Sequence, residues 1–268
     1  MNEAHQPQIW HYGLVSLAMA ELWNGTGPEL DYFARMIETY GQPALDVGCA
    51  AGRLLIPLLK KGLEVDGVDY SADMLAQCER LAKAEGLAPQ LYHQSMHEMD
   101  LPRNYRTIIA CGVVGLGGSW MNTQKTLQRC YDHLRPGGCF VFDYNPRYND
   151  PPAWLSRLPE NRHALPDEWG EDGEREKLPD GSELAIDTRT IAMDPLEDVA
   201  TRQMRVRLYQ DGKLVKEEIY TQMVEDFSLH EWLLMLEKAG FEHVKFTGDY
   251  TGEPATADHG TLVFVCEK

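Results

Sequence analysis

Residues 43–53, Pro-Ala-Leu-Asp-Val-Gly-Cys-Ala-Ala-Gly-Arg, limit what this chain can fold into more than any other stretch. Pro43 and the apolar run Ala44–Val47 read as a buried strand, 48–52 as a tight turn of small residues, and 53–61 as a helix. A strand that ends in small residues and turns at once into a helix makes a cradle for a nucleotide. Backbone approaches the ligand without intervening side chains, and the helix N-terminus presents free N–H groups. Asp69 ends the next apolar run, Val65-Asp66-Gly67-Val68, seventeen residues after Gly52. An acidic residue about 20 residues beyond the glycine turn is placed to accept from both ribose hydroxyls. The turn is Gly-x-x-x-Gly and not Gly-x-Gly-x-x-Gly, which disfavours a dinucleotide.

Alternation of strand and helix continues downstream. Strands are expected over 64–69, 90–93, 105–112 and 139–144, with helices over 72–85 and 123–134. Such alternation implies a parallel sheet covered on both faces, with the ligand beyond the carboxyl ends of the strands where strand order reverses. Gly48, Asp69, Ser95–His97, Cys111–Val114 and Tyr144–Asn145 are thereby expected around one cleft. Ahead of the turn, helices are expected over 9–24, with Ile9, Tyr12, Leu17, Ala20 and Trp23 near one face, and over 29–40, stopped by Gly41.

Residues 146–181 break the alternation; they are rich in Pro, Glu and Asp, with Trp154 and Trp169 as apolar anchors, and read as a functional loop or lid. Three β-rich runs follow, 183–193, 201–210 and 214–224, separated by Asp194-Pro195-Leu196-Glu197 and Gln210-Asp211-Gly212-Lys213, and are expected as a three-stranded antiparallel insertion. A helix over 228–239, stopped by Gly240, and strands over 244–250 and 262–267 complete the sheet. The expected fold is therefore α/β, a Rossmann-like doubly wound sheet, mostly parallel with an antiparallel last strand, plus a small antiparallel β insertion. The chain divides into an N-terminal helical segment (1–42), a nucleotide-binding core (43–145 and 227–268) and the insertion (146–226).

Three motifs in order, Leu45-Asp46-Val47-Gly48-Cys49-Ala50-Ala51-Gly52-Arg53, Val68-Asp69-Tyr70-Ser71-Ala72-Asp73-Met74-Leu75 and Leu134-Arg135-Pro136-Gly137-Gly138, resemble the class I S-adenosylmethionine-dependent methyltransferases. The resemblance is strong over 43–145 and weaker over 228–268. It implies S-adenosyl-L-methionine as cofactor and S-adenosyl-L-homocysteine as product. It also implies that the N-terminal helices cross the cleft as a lid. Asp69 would then hold the ribose, Tyr70 and Met74 would flank the adenine, and Ser95, Met96 and His97 would follow its edge. Gly48, Ala50, Gly52 and Arg53 would form the cofactor turn, and Cys111 would end the fourth strand beside it. Asp46 would lie near the cofactor's ammonium or brace the turn, and Tyr12 would approach from the lid. Ser95 stands where the family commonly has Asp, Ala50 where it often has Gly, and Arg106-Thr107 where an acidic residue is common.

His11, Val113, Tyr144, Asn145 and His259 are candidates for the acceptor side. Among residues able to take a proton, His11, Tyr12, Tyr144 and His259 are near the predicted cleft, and no catalytic residue is assigned. The family's Asn/Asp-Pro-Pro-aromatic motif for planar amines is absent; Cys111-Gly112-Val113-Val114-Gly115 stands there and leaves the acceptor atom open among N, O, S and C. Two other readings stay open: different chemistry on the same cofactor, or a cofactor-binding regulatory subunit without turnover.

Composition narrows the partners. The formal net charge is −17, from 42 acidic and 25 basic residues, with no long basic run to follow a phosphate backbone, so a small-molecule substrate is expected and nucleic acid is not. The six cysteines show no Cys-x-x-Cys spacing, no metal site is expected, and free thiols suit a reducing cytoplasm. No signal peptide and no apolar run of ~20 residues is seen, so no membrane association is expected. The insertion is expected to cap the site mouth or, second, to mediate a homodimer through its edge. Position 50 is expected at ordinary negative φ, so that Ala50→Gly leaves stability unchanged or slightly lower.

Overall fold

The computed structural model describes residues 11–147, 150–170 and 174–268. In chain order, β1 (Ala44–Val47), β2 (Val65–Asp69), β3 (Leu91–His93), β4 (Tyr105–Ala110) and β5 (Leu134–Tyr144) belong to one sheet. A second sheet follows, of β6 (Arg175–Lys177), β7 (Glu183–Asp194), β8 (Val199–Gln210) and β9 (Lys213–Glu225). The chain then returns to the first sheet with β10 (His243–Gly248) and β11 (Leu262–Glu267). The main sheet has the order β10-β11-β5-β4-β1-β2-β3. β1 to β5 run parallel to one another, and β11 runs antiparallel to both β5 and β10. Strand order reverses between β1 and β4, and the cradle turn leaves the sheet there.

Helices α1 (Leu14–Glu21), α2 (Pro28–Tyr40), α3 (Leu55–Lys60), α4 (Ala72–Ala84), α5 (Trp120–His133), α6 (Pro151–Leu155), α7 (Pro159–Arg162) and α8 (Leu229–Ala239) complete the described elements. Period-2 alternation on β5 sorts the two layers. Phe140 and Phe142 pack with Leu127 and Cys130 of α5 and Trp232 and Leu236 of α8. Cys139 and Val141 point to the opposite face, against Phe33 and Ile37 of α2 and Leu58 of α3. β1 is buried along its whole length, as a central parallel strand covered on both faces must be. Local signals fix the ends: Ser228 and Glu231 form a reciprocal capping box on α8, and Gly240 closes that helix at φ +107°.

Three expectations change. α5 starts earlier than the expected 123, because the Ser119 side chain accepts from the Asn122 N–H at 3.3 Å and caps the helix. The insertion has four strands, not three; β6, Arg-Glu-Lys, is fully exposed and carries no hydrophobic alternation to announce it. The first helix begins at Leu14 after Gly13 (φ +56°), and Ile9 and Trp10 of the expected helix lie outside the described residues.

α1 buries Leu14, Val15 and Ala18 rather than Leu17, because it is wedged between α4 and the second sheet, against Met74, Met204, Val206 and Tyr220. The Leu14 N–H donates to the Tyr220 hydroxyl at 2.9 Å and to Glu218 Oε2 at 2.7 Å. Among the described residues no helix is long and apolar enough to cross a membrane.

Candidate active site

The cradle turn sets the geometry. Gly48 has φ +71°, and a Cβ there would lie 2.7 Å from Val113 Cγ1, so only glycine fits. Ala50 has φ +47°, the left-handed region, which corrects the expected negative φ. Its N–H points to Asp69 and donates to Oδ2 at 2.9 Å, so the unusual backbone serves a specific bond. Gly52 has φ +89°, and a Cβ there would press on Cys78 Sγ at 2.8 Å, so this glycine allows helix packing rather than facing the cleft.

Asp69 ends β2 and is buried; its Oδ1 accepts from the Ser71 N–H at 2.8 Å. Burial raises its pKa, and the bonds from Ser71 and Ala50 work against that rise. Each oxygen keeps a second lone pair for a ligand hydroxyl.

Asp46 and Arg53 stand on either side of the turn. Asp46 is buried and accepts no hydrogen bond among the described residues, and burial pushes its pKa up to about 7, with Arg53 pulling down and Asp69 pushing up. Arg53 donates to Glu29 at the start of α2 and to Cys111 Sγ at 3.2 Å. Asp143, at the end of β5, accepts from Cys111 Sγ at 3.1 Å, from the Gly112 N–H and from the Tyr250 hydroxyl. Burial, reinforced by Asp143, pushes the Cys111 thiol up, so it stays protonated and is no nucleophile at neutral pH.

These groups line a cavity of about 640 Å3, within the ~300–1,000 Å3 usual for small-molecule sites. Of the residues expected there, His11, Asp46, Gly48, Ala50, Arg53, Asp69, Tyr70, Ser95, Met96, His97, Cys111 and Val113 line it. His11 Nδ1 hydrogen bonds the Tyr70 hydroxyl at 3.1 Å, and burial lowers its pKa to about 4, so the ring is neutral at pH 7. Burial also lowers the pKa of His97, with Glu98 raising it and Lys125 lowering it.

The structure withdraws the other expected residues from the lining. Tyr12 donates to the Tyr70 carbonyl at 3.3 Å from outside the cavity. Met74 is fully buried against α1, and Gly52 faces α4. Tyr144 lies in the core, its hydroxyl accepting the Phe227 N–H at 2.9 Å. Asn145 accepts from Thr261 Oγ1 at 2.9 Å, and His259 Nδ1 accepts from the Thr256 N–H at 2.8 Å. Tyr144 turns into the core at the end of β5, Asn145 is held to Thr261, and His259 is held within the loop between β10 and β11, so none of the three lines the cavity.

Sequence reasoning missed the roof. Leu116, Gly117 and Gly118 of the loop after β4 line the cavity, with Asn122 of α5, Met19 of α1, and Gln222 and Met223 of β9. Gln222 is buried, and its amide has no hydrogen-bond partner among the described residues. A run of glycines, Gly112, Gly115, Gly117 and Gly118, was the available signal for the loop; nothing local marks Gln222, which reaches the cavity only through long-range packing. None of the residues of α2 lines the cavity; that helix lies in the layer against β4 and β5.

Comparison with known proteins agrees with the fold. Residues 44–138 match the family model described as a methyltransferase domain. A putative methyltransferase of Geobacillus sp. is 27% identical over 144 residues, 52% of this chain and 56% of that protein. The chain thus spans about half the length of that curated relative. Among solved structures, an S-adenosylmethionine-dependent methyltransferase from Clostridium acetobutylicum superposes with a TM-score of 0.71 at 16% identity, covering 95% of this chain and 97% of the other. A sugar N-methyltransferase from Streptoalloteichus gives 0.72 at 17% identity over 100% and 98%. Residues 44–138, which include the cradle turn and Asp69, are thus a methyltransferase domain, and nearly the whole chain shares its fold with S-adenosylmethionine-dependent methyltransferases of known structure.

Proposed function

We propose that the chain transfers the methyl group of S-adenosylmethionine to a small-molecule acceptor held under the second sheet. One observation carries the reading: a single cavity presents Asp69 for a ribose, and Asp46 and Arg53 for a zwitterionic amino acid, on a backbone turn cleared of side chains. Asp46, buried without a hydrogen-bond partner among the described residues, suits an ammonium group. A buried carboxyl of this kind gains most from a cationic ligand. Arg53 keeps donors free for a carboxylate, and Tyr70, Met96 and His97 border the place for a planar base.

The cofactor's sulfonium supplies an already activated methyl group. The protein's task is then alignment and exclusion of water. Gly112 is pinned to Asp143 and fixes the glycine loop beside the turn, while Gln222 and Met223 close the opposite side. His11 and His97, both with lowered pKa, are the neutral bases available to an acceptor that arrives protonated. The negative charge of the chain and a concave cavity of about 640 Å3 favour a small acceptor over nucleic acid. The six cysteines are free thiols, which suits a reducing compartment. Because the insertion contributes lining residues, we assign it the role of roof in preference to that of dimer interface, with residues 43–145 and 227–268 as the cofactor-binding core.

Titration calorimetry with S-adenosylmethionine and with S-adenosylhomocysteine, followed by an acceptor screen read by release of S-adenosylhomocysteine, tests the proposal. Binding of both, with turnover on at least one acceptor, is the expected result. Failure to bind either ligand overturns it, and tight binding without turnover across N, O, S and C acceptors would assign the chain to a regulatory role.

A further inference from the structure

A second cavity, of about 330 Å3, lies between the inner face of the second sheet and the segment that carries α6 and α7. Its floor is Thr190, Met193, Ala200 and Arg202 of β7 and β8. Arg202 decides its chemistry. The Nε of Arg202 is buried without a hydrogen-bond partner, and its guanidinium enters no hydrogen bond or ion pair among the described residues. The acids around it are engaged elsewhere. Asp226 pairs with Arg147 at 2.9 Å and with Arg157 at 2.6 Å, Asp150 caps α6 by accepting the Ala153 N–H at 3.3 Å, and Asp167 accepts the Thr190 N–H at 3.3 Å. Burial and the neighbouring Arg147 lower the pKa of Arg202, against the pull of Asp150 and Asp226. A cation held in this way gains from an anion, and the flat guanidinium fork matches a carboxylate or phosphate.

The two cavities are neighbours along the sheet. Arg202 of β8 is directly opposite Gln222 of β9 in the ladder, and Gln222 lines the first cavity. Residues opposite each other on adjacent strands share one face, with Cβ atoms ~4.5–5.5 Å apart. The geometry points to an acceptor that carries an acidic group: its methyl-accepting end lies in the first cavity beside Gln222, and its carboxylate or phosphate binds Arg202 in the second. The acceptor's role rests on the methyl transfer proposed above, whereas the anion site stands on Arg202 alone.

Inorganic phosphate and succinate serve as probes, titrated calorimetrically into the protein at constant ionic strength set with sodium chloride. Wild type binds at least one of them, Arg202→Gln weakens that binding by tenfold or more, and Arg202→Lys retains it within a few-fold. All three bind S-adenosylmethionine equally, so loss of the anion site is told apart from loss of the cofactor site. Phosphate alone, succinate alone or both identifies the anion class. As a check independent of the variants, either probe raises the wild-type melting temperature beyond an ionic-strength-matched chloride control. Among acceptors turned over, those with an acid group have the higher kcat/KM, and Arg202→Gln removes that preference mainly through KM. No saturable binding of either probe to wild type, equal binding to Arg202→Gln, or no preference for acidic acceptors overturns the inference.

Discussion

Replacing Ala50 with glycine tests whether the cradle turn holds stored strain. At φ +47° the Cβ of Ala50 crowds the following carbonyl, a conformation that costs an L-residue ~1–2 kcal/mol. Glycine removes that strain but gives the unfolded chain more freedom, which costs ~0.4–1 kcal/mol. Strain relief is the larger effect, so Ala50→Gly is expected to stabilise the protein by about 0.5–1 kcal/mol, or ~1–3 °C in Tm for a chain of this size. The Ala50 N–H bond to Asp69 is a backbone bond and survives the change. Ala51 supplies the control, because it has no positive φ and its methyl is buried beside Met74. Ala51→Gly should lose about 1–2 kcal/mol, from the buried methyl and the added chain freedom. Thermal melts of the two variants beside wild type measure both effects, and calorimetry should find cofactor affinity for Ala50→Gly within about tenfold. A lower Tm for Ala50→Gly would refute the strain argument.

Three further outcomes follow from the site. Asp69→Ala removes charge-assisted bonds worth ~1.5–3 kcal/mol, so S-adenosylmethionine affinity should fall roughly 10- to 150-fold. Asp66→Ala, three residues before Asp69 on β2 and bonded to Tyr105 at 2.9 Å, should leave that affinity nearly intact; equal losses in a titration would sink the ribose assignment. Burial raises Asp46 to about 7, so the folded chain keeps a proton that the unfolded chain releases from about pH 4 upward. Its contribution to stability therefore declines as pH rises through that window. Glu225, also raised to about 7 by burial, acts in the same sense. Asp46→Asn should flatten the pH dependence of urea unfolding down to the Glu225 part. Conversely, an ammonium bound at Asp46 favours its ionised form, so cofactor binding at pH 6 should release a proton, seen as a buffer-dependent heat that Asp46→Asn abolishes. Gln222→Ala should raise KM for the acceptor by roughly 2- to 12-fold, the worth of one hydrogen bond, with cofactor Kd unchanged; a matching loss in cofactor affinity would move Gln222 out of the acceptor side.

Local chemistry announced most of the sheet. Pro43 to Gly52, the apolar run before Asp69 and the Asp-Gly turn at 211–212 each encode their structure within a few residues, and those elements appear where expected. β6 was illegible because an exposed three-residue strand is held by its partner, β7, and not by its own pattern. Ala50 was misread for a related reason. Its φ is imposed by the bond to Asp69, nineteen residues away, and no propensity within the turn reveals that demand. The floor of the site came from one continuous motif and could be read. Its roof comes from α1, α5 and β9, and only packing brings them together. Tyr144 and Asn145 stand outside the lining because residues at the carboxyl end of a strand face the cleft only if their side chains turn that way, and His259 because its loop between β10 and β11 closes on itself through Thr256.

The clasp between Leu14 and Tyr220 joins positions 206 apart in the chain. Contacts so distant in sequence form late, after the local units have organised. A nascent chain therefore exposes Asp46, Arg53 and Asp69 long before it has made Gln222 and Met223. A product cut short ahead of residue 213 contains Asp46, Arg53 and Asp69 but lacks the β9 part of the roof together with α8, β10 and β11 of the main layer. The floor and the roof of the cavity are thus synthesised at different moments, and neither is held in a finished sheet until α8, β10 and β11 have followed.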